Sequence, residues 1–412
     1  MQETSKLIIV LIDGLSADYF AKHRRRLRWL SHLAERGTLI KRMAPTMPGT
    51  SMPGRASILT GLGPREHGIY GNRVLDGANF RCVTPEDVRA PTLASRCFQA
   101  GQDVASIGFG LVHPDTASVF EPPWWLHEFL HNQRHIKVPS GISGRCLQRK
   151  DPHDRLTQVH VGDLPEISSA SNDHDRLSSV LLGLGSDQVL LRCVADLACS
   201  DSPPDLILTE IATTDYLQHF FGCESDTAHW AMVHADMLVG ALISRLEAAG
   251  RLDTYAIAIV SDHGFGEIET AIYPNALIPE YHWGLEGATL HVAISCEGDR
   301  SVIIDRLSVY GVVPHDSGHV PDDQRERVAT FSAPEGHAFE YHPSTAGRSE
   351  AHGPPAIVAT HGLRPGTAAD DRVCILGGGD LPKVVIDRAN DASLTATFAS
   401  LLGLKPFSDP IF

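Results

Sequence analysis

The chain has 412 residues, 42% of them hydrophobic and 21% charged, enough apolar matter for a large buried core and unlike a disordered, collagenous or coiled-coil protein. Its 35 Lys and Arg stand against 50 Asp and Glu, a formal charge of −15. With no basic surplus to grip a nucleic-acid backbone, a dedicated nucleic-acid binder is not expected.

No apolar run approaches the roughly 20 residues that cross a bilayer, and the opening Met-Gln-Glu-Thr-Ser lacks the basic start and small-residue cleavage site of a secretory signal. The expectation is a cytoplasmic chain without membrane association. Eight cysteines are scattered with no Cys-x-x-Cys pair, so most read as small buried hydrophobes rather than a disulfide scaffold or a zinc knuckle.

Taken in chain order, the first apolar run, 7–12, stops at Asp13-Gly14. Next comes Ser51-Met52-Pro53-Gly54-Arg55, running on to Thr60-Gly61, with His67-Gly68-Ile69 and Asn72 beyond. Proline is excluded from a helix interior but welcome in a first turn, so Ser51 is expected at a helix N-terminus, with 56–60 continuing the helix. Backbone N–H groups exposed there attract an anion. The run 206–211 stops before Thr213-Thr214-Asp215, and Asp215 and His219, four apart, share one face of the helical turn that follows. The run 256–260 stops at Ser261-Asp262-His263, and 356–359 stops at Thr360-His361-Gly362. Helical patterns cover 228–249 and 394–402.

Non-alternating apolar strands separated by helices predict an α/β fold with a mostly parallel sheet covered on both faces, and ligands bind such sheets beyond the carboxyl ends of the strands. All four polar clusters converge there. Asp13, Asp215, His219, Asp262, His263 and His361 are carboxylates and imidazoles on rigid strand ends, the donors that hold divalent metals, and six suffice for two ions. Taken singly, Asp13-Gly14 reads better as a plain turn, and Ser51 reads as an N-cap residue, a role that can coexist with chemistry. Four such clusters at four strand ends are not explained that way. A Ser51 hydroxyl bound to a divalent metal is deprotonated readily and becomes a nucleophile.

In this order and local spacing the motifs resemble the alkaline phosphatase superfamily and, within it, the nucleotide pyrophosphatase/phosphodiesterase branch. The resemblance runs from residue 7 to a closing helix at 391–404. It implies a single three-layer αβα domain over 1–412 and leaves largely unmatched two stretches, about 112–175 and 267–352, that interrupt the strand–helix rhythm and are read as inserted cap segments. By the same resemblance Ser51 is the nucleophile, Asp13, Ser51, Asp262 and His263 hold one metal, and Asp215, His219 and His361 hold the other. Asn72 matches the catalytic and substrate-binding asparagine whose amide donates to a phosphoryl oxygen. Two divalent ions are therefore implied, zinc first for mixed His/Asp ligation and manganese as runner-up. The implied reaction is hydrolysis of a small-molecule phosphodiester or phosphoanhydride through a phosphoseryl intermediate.

Two departures bear on substrate. Gly54 and Arg55 stand where the branch usually has Asn and His, and Met52 replaces an aromatic residue on which a nucleobase stacks in nucleotide-cleaving members. Arg55 is a candidate substrate-binding residue, its planar fork clamping a phosphate oxygen or the leaving group, which keeps a phosphomonoesterase open; pairing with a carboxylate is the equal alternative. Ser51-x-Pro53-x-Arg55 also resembles the sulfatase signature, whose serine is oxidised to formylglycine. Sulfatases, however, begin with paired aspartates and bind one metal. Phosphonoacetate hydrolase shares the 67–72 pattern but carries lysines after the strand that here reads 103–110, where this chain has none. A non-catalytic binding protein on the same fold is the remaining alternative, and such a chain is expected to lose ligands or nucleophile, whereas this one keeps all of them. His67 is expected to support the turn before Asn72 rather than bind metal.

Overall fold

Alternation along the first strand, Lys6–Ile12, feeds two cores at once: Leu7, Ile9 and Leu11 enter one, Ile8, Val10 and Ile12 the other, and all six are fully buried. A strand apolar on both faces needs cover on both faces, and the computed structural model supplies it. Residues 6–131, 144–156, 173–342, 350–406 and 408–412 are described. One layer presents Phe20, Leu33, Val194, Met232, Val239 and Leu246 from helices Ala17–His23, Arg28–Arg36, Asp173–Ala198 and Asp226–Ala248. The opposite layer includes Ile58, Leu93, Leu394 and Phe398 from helices Ser51–Thr60, Leu93–Gln99 and Asp391–Leu401.

The sheet between them has eight strands in the order Val384–Ala389, Thr38–Met43, Arg372–Gly377, Tyr255–Val260, Lys6–Ile12, Leu206–Ile211, Val104–Ile107 and Val119–Glu121. Arg372–Gly377 runs antiparallel to both its neighbours and every other pairing is parallel. At the centre, Leu11 is level with Val260 and Ile12 with Ile211. Adjacent strands lie about 4.8 Å apart, so the first residues beyond these three ends, which include Asp13, Ala212 and Asp262, are delivered side by side. This is the α/β architecture expected, in three layers.

Three of the four apolar runs are those central strands, but the fourth is not in the sheet. Only Ala359–Thr360 forms a strand, pairing antiparallel with Gly266–Glu267 outside the main sheet. The preceding Pro354-Pro355 offers no N–H donors, and Ala356 and Val358 are exposed, so 356–359 cannot be a buried ladder strand.

The segment 112–175 also differs from a pure insert, because Val119–Glu121 joins the central sheet beside Val104–Ile107. Parts of it, 132–143 and 157–172, lie outside the described residues, as does 343–349 of the second segment. The second segment, 267–352, builds a four-stranded antiparallel sheet, Trp283–Glu286, Thr289–Ala293, Val328–Ser332 and Val313–His315. Helix Glu297–Ser308 covers it, with Ile303 and Leu307 packing beside Leu290, Val292 and Phe331 in a third core. Among the described residues no helix is long and apolar enough to cross a membrane.

Candidate active site

Helix Ser51–Thr60 approaches the ends of the central strands so closely that a Cβ on Gly54 would lie 2.1 Å from the Asp262 carbonyl oxygen. Only glycine fits at that contact, which accounts physically for Gly54 and sets the first turn of the helix against Asp262-His263. Thr50, extended at φ −128 and ψ 167, is the N-cap residue, so Ser51 is the first helical residue and its hydroxyl is not spent on capping. Its Oγ instead lies 3.2 Å from His263 Nε2.

The remaining donors gather around that pair. His263 Nε2 is 3.1 Å from Asp13 Oδ1 and 3.8 Å from Asp215 Oδ1. Asp215 Oδ1 is also 3.4 Å from His219 Nε2 and 3.8 Å from His361 Nε2. Two groupings keep one ligand atom per residue within 4.8 Å of the others, Asp13/Asp262/His263 and Asp215/His263/His361, with His263 in both. Donors about 2.0–2.1 Å from a shared tetrahedral zinc lie roughly 3.3 Å apart, a value these spacings bracket, with only the His263–Asp13 distance of 3.1 Å also an ordinary hydrogen-bond length. Oδ1 of Asp13 and of Asp215 is buried without a hydrogen-bond partner. Orphaned carboxylate oxygens facing three imidazoles fit a pair of divalent ions.

Neighbouring backbone fixes the imidazoles. His263 Nδ1 is 2.9 Å from the Gly264 carbonyl and His219 Nδ1 is 2.8 Å from the Ala359 carbonyl. As Nδ1–H donors to those carbonyls, both rings present Nε2 to the cluster. Thr214 Oγ1 donates to the Asp13 carbonyl at 2.7 Å, and Gln218 Nε2 to that of Gly14 at 3.2 Å, which locks helix Thr213–Phe221 to the Asp13 turn. Gly14 itself sits at φ +71, where a side chain would be strained and would meet Phe265.

Asn72 is oriented from two sides. Its Oδ1 accepts the Met52 N–H at 2.9 Å, and its own N–H donates to Glu286 Oε2 at 2.7 Å. The bond to Met52 leaves the Asn72 amide nitrogen as the donor available to the cleft. It also narrows the expectation that backbone N–H groups at this helix start attract an anion, because the Met52 N–H, second in the helix, is engaged in aiming Asn72. His67 does hold the preceding turn: its Nδ1 accepts the Ile69 N–H at 3.1 Å and its Nε2 lies 3.1 Å from Ser57 Oγ.

Arg55 takes one of the two roles open to it, that of pairing with carboxylates. Its side chain is 1% exposed, and Nη2 donates to Asp13 Oδ2 at 2.7 Å, Nε to Glu210 Oε2 at 3.0 Å and Nη1 to Asp262 Oδ2. The guanidinium fork is thus spread over three carboxylates, two of them expected metal ligands, instead of being free to clamp a phosphate. Burial works against all these charges. Burial pushes Asp13 up, but Arg55 and His263 outweigh it and hold its carboxyl below the ordinary aspartate range. Asp262, more enclosed, is driven upward by burial despite Arg55.

Sequence reasoning missed Glu210, Glu286 and Asp187. Glu286 accepts from the Asn72 and Arg73 N–H groups and from Thr50 Oγ1, and burial pushes its carboxyl up to about 7. Asp187 accepts from Thr213 N–H, Thr213 Oγ1 and Trp124 Nε1, placing a carboxylate at the start of the helix that carries Asp215 and His219. Glu210 alone had a visible signal, an acid inside the fully buried strand Leu206–Ile211, which demands a buried cation.

The cleft above these groups measures about 270 Å³, near the lower end of small-molecule sites. Ser51, Asn72, Asp215 and His361 line its polar side, and Met52, Trp125, Phe129 and Tyr216 its apolar wall.

Metal uptake in this cluster is tied to protons. Burial lowers the His263 ring, but Asp262, Asp13 and Asp215 outweigh it and raise it from 6.5 to about 10. In the metal-free protein its contribution to stability is therefore fully present below pH 6.5 and lost as pH rises through about 10. A ligating metal must displace that proton, so zinc binding near pH 7 should release protons and weaken as pH falls. Calorimetric titration in buffers of different ionisation enthalpy will measure the release, and a heat independent of buffer would contradict it.

Residues 7–374 match the family described as type I phosphodiesterase/nucleotide pyrophosphatase. An ectonucleotide pyrophosphatase/phosphodiesterase of Caenorhabditis elegans is 36% identical over 273 residues, 65% of this chain and 26% of that protein. An uncharacterized pyrophosphatase/phosphodiesterase of Schizosaccharomyces pombe is 35% identical over 263 residues, 63% of this chain and 44% of that protein. The matched regions thus span less than half the length of these two relatives. The solved structure of murine ectonucleotide pyrophosphatase/phosphodiesterase 5, inactive and in complex with AMP, matches with a TM-score of 0.69 at 15% identity, over 98% of this chain and 96% of that one. That likeness supports the fold.

Proposed function

The chain belongs to the type I phosphodiesterase/nucleotide pyrophosphatase family, and from that premise we propose that it is a metal-dependent hydrolase of phosphodiester or phosphoanhydride bonds, acting through a phosphoseryl intermediate on Ser51. The observation that carries the reading is the Ser51 hydroxyl 3.2 Å from His263 Nε2, beside two donor sets that share that histidine.

Asp13, Ser51, Asp262 and His263 would hold one divalent ion, and Asp215, His219 and His361 the other, with zinc the first candidate for mixed imidazole and carboxylate donors. Such ions, when bound, supply Lewis acidity, favouring the deprotonated form of a nearby hydroxyl and neutralising phosphoryl charge. Ser51 Oγ, projecting from the first helical residue and giving up its proton to solvent, attacks phosphorus; the P–O bond to the leaving alcohol or phosphate breaks and that oxygen takes a proton from water. A water molecule then cleaves the phosphoseryl ester, releasing the phosphorylated product and restoring the serine hydroxyl. The Asn72 amide, held by Met52 N–H and Glu286, donates to a phosphoryl oxygen as charge develops there. Tyr216, Phe129 and Trp125 receive the organic substituent on the apolar wall.

Commitment of Arg55 to carboxylates favours a diester or anhydride over a monoester, because the extra monoester charge loses its nearest cation. The AMP complex of the murine structural neighbour makes a nucleotide-containing diester or anhydride the first natural substrate to try. Bis-p-nitrophenyl phosphate should be turned over at least about tenfold faster than p-nitrophenyl phosphate, a difference of about 1.4 kcal/mol in barrier. Activity should vanish with a chelator and return with zinc. Preference for the monoester, response to p-nitrophenyl sulfate alone, or activity that survives chelation would each overturn the reading.

A further inference from the structure

Outside the Ser51 cleft, a second set of imidazoles and a carboxylate converges where helix Ala17–His23 meets the loop between helices Thr213–Phe221 and Asp226–Ala248. His23, last residue of the first helix, places Nε2 3.1 and 3.3 Å from the two oxygens of Glu224 in that loop. His229, in the first turn of the helix that follows, brings its ring to 4.5 Å from the His23 ring, centre to centre. One ligand atom from each of the three falls within 4.8 Å of the other two.

The arrangement is built rather than incidental. His229 is buried, and the equally buried Tyr19 hydroxyl lies 3.0 Å from its Nδ1, fixing the ring orientation. A hydrogen-bond partner behind an imidazole is the support that metal-binding histidines commonly have. His23 stacks in the same group, 4.7 Å from the Tyr19 ring. The exposed member, Glu224, also pairs with Lys22 at 2.7 Å, but that lysine is 61% exposed and can swing into solvent. A surface ion pair of this kind contributes little and yields easily to a stronger cation.

We propose that His23, Glu224 and His229 bind a divalent transition-metal ion, separate from any held at Ser51. Two imidazoles and one carboxylate suit zinc, cobalt, nickel or iron(II), whereas calcium and magnesium want oxygen donors throughout. Water would complete the coordination on the exposed side. The ion would clamp the end of helix Ala17–His23 to the loop directly after the helix that carries Asp215 and His219. From that loop, the Cys223 N–H donates to Glu267 Oε1 at 2.6 Å, and Glu267 pairs with Ala359, two residues before His361. The site thus braces the loop that links these segments, which is a structural role.

The proposal does not depend on the reading of the Ser51 cleft, and the experiment separates them. In a full-length background with Asp13→Asn and Asp215→Asn, which weakens the cleft donor sets, equilibrium dialysis against zinc followed by elemental analysis should find one tightly held ion per chain. Cobalt loaded into the same protein should show d–d absorption, and zinc should raise its melting temperature. Adding Glu224→Gln with His229→Gln should weaken zinc binding at least tenfold and abolish both the cobalt spectrum and the thermal shift, with circular dichroism confirming a folded chain. Glu224→Gln alone, at an exposed position, should weaken binding without disturbing the fold. A background protein that takes up no zinc, or uptake unchanged by the Glu224 and His229 substitutions, would overturn the proposal.

Discussion

Replacing Ser51 by alanine should abolish phosphodiester turnover while leaving the fold and the surrounding donors in place. In a hydrolase whose nucleophile acts as a unit with its partners, removing it costs roughly a million-fold in kcat, and a loss of that order is expected here. The structural cost should be small, about 1 kcal/mol or less, because the hydroxyl makes one modest contact, to His263 Nε2, and caps no helix. Loss of activity in a protein that melts normally and still takes up zinc would separate chemistry from folding. Ser51→Thr, which keeps a hydroxyl at the same place, should retain part of the rate. Rapid acid quenching of wild type with a phosphorus-labelled substrate should trap label on the protein, and Ser51→Ala should trap none. An alanine variant that still turned over at a substantial fraction of the wild-type rate would remove the phosphoseryl step.

The parts of this site that could be read from sequence are those written locally. The runs at 7–12 and 256–260 are apolar without alternation, and 206–211 is so apart from Thr209 and Glu210, because each strand is covered on both faces, and each leads into a polar cluster, since that is where a parallel sheet releases its chain. Asp215 and His219 were legible as an i, i+4 pair on one helix. What stayed hidden depends on contacts between distant segments. Glu286 reaches Asn72 across 214 positions and Glu210 reaches Arg55 across 155, and no local pattern states such a partner. Arg55 was left between two roles for the same reason, because its fork suits a phosphate as well as carboxylates and only the fold brings Asp13, Glu210 and Asp262 around it. The run at 356–359 was misplaced by counting apolar residues without weighing the prolines before it. His361 nevertheless arrives at the site, carried by the short pairing of Ala359–Thr360 with Gly266–Glu267.

Arg55→Met should destabilise the metal-free protein by about 3–5 kcal/mol, the range found when one partner of a buried ion cluster is removed. Methionine fills much of the same volume, so the loss would come from charge. Glu210 and Asp262 are nearly inaccessible and Asp13 is 7% exposed, so the three carboxylates would be left close together with the guanidinium gone. Lysine should not substitute well, because Nε, Nη1 and Nη2 each serve a different carboxylate and one ammonium cannot span that fork. Zinc should restore part of the stability, since an ion at Asp13 and Asp262 replaces some of the missing charge. Glu210 belongs to neither donor grouping, so the loss of its Arg55 cation would stay uncompensated. The double variant Arg55→Met with Glu210→Gln should therefore be more stable than Arg55→Met alone, and denaturant titration of the four members of that cycle measures the coupling. Additive effects would mean that the Arg55–Glu210 pair is not a coupled unit. Unchanged stability with a raised KM would return Arg55 to the substrate-clamping role that its sequence position first suggested.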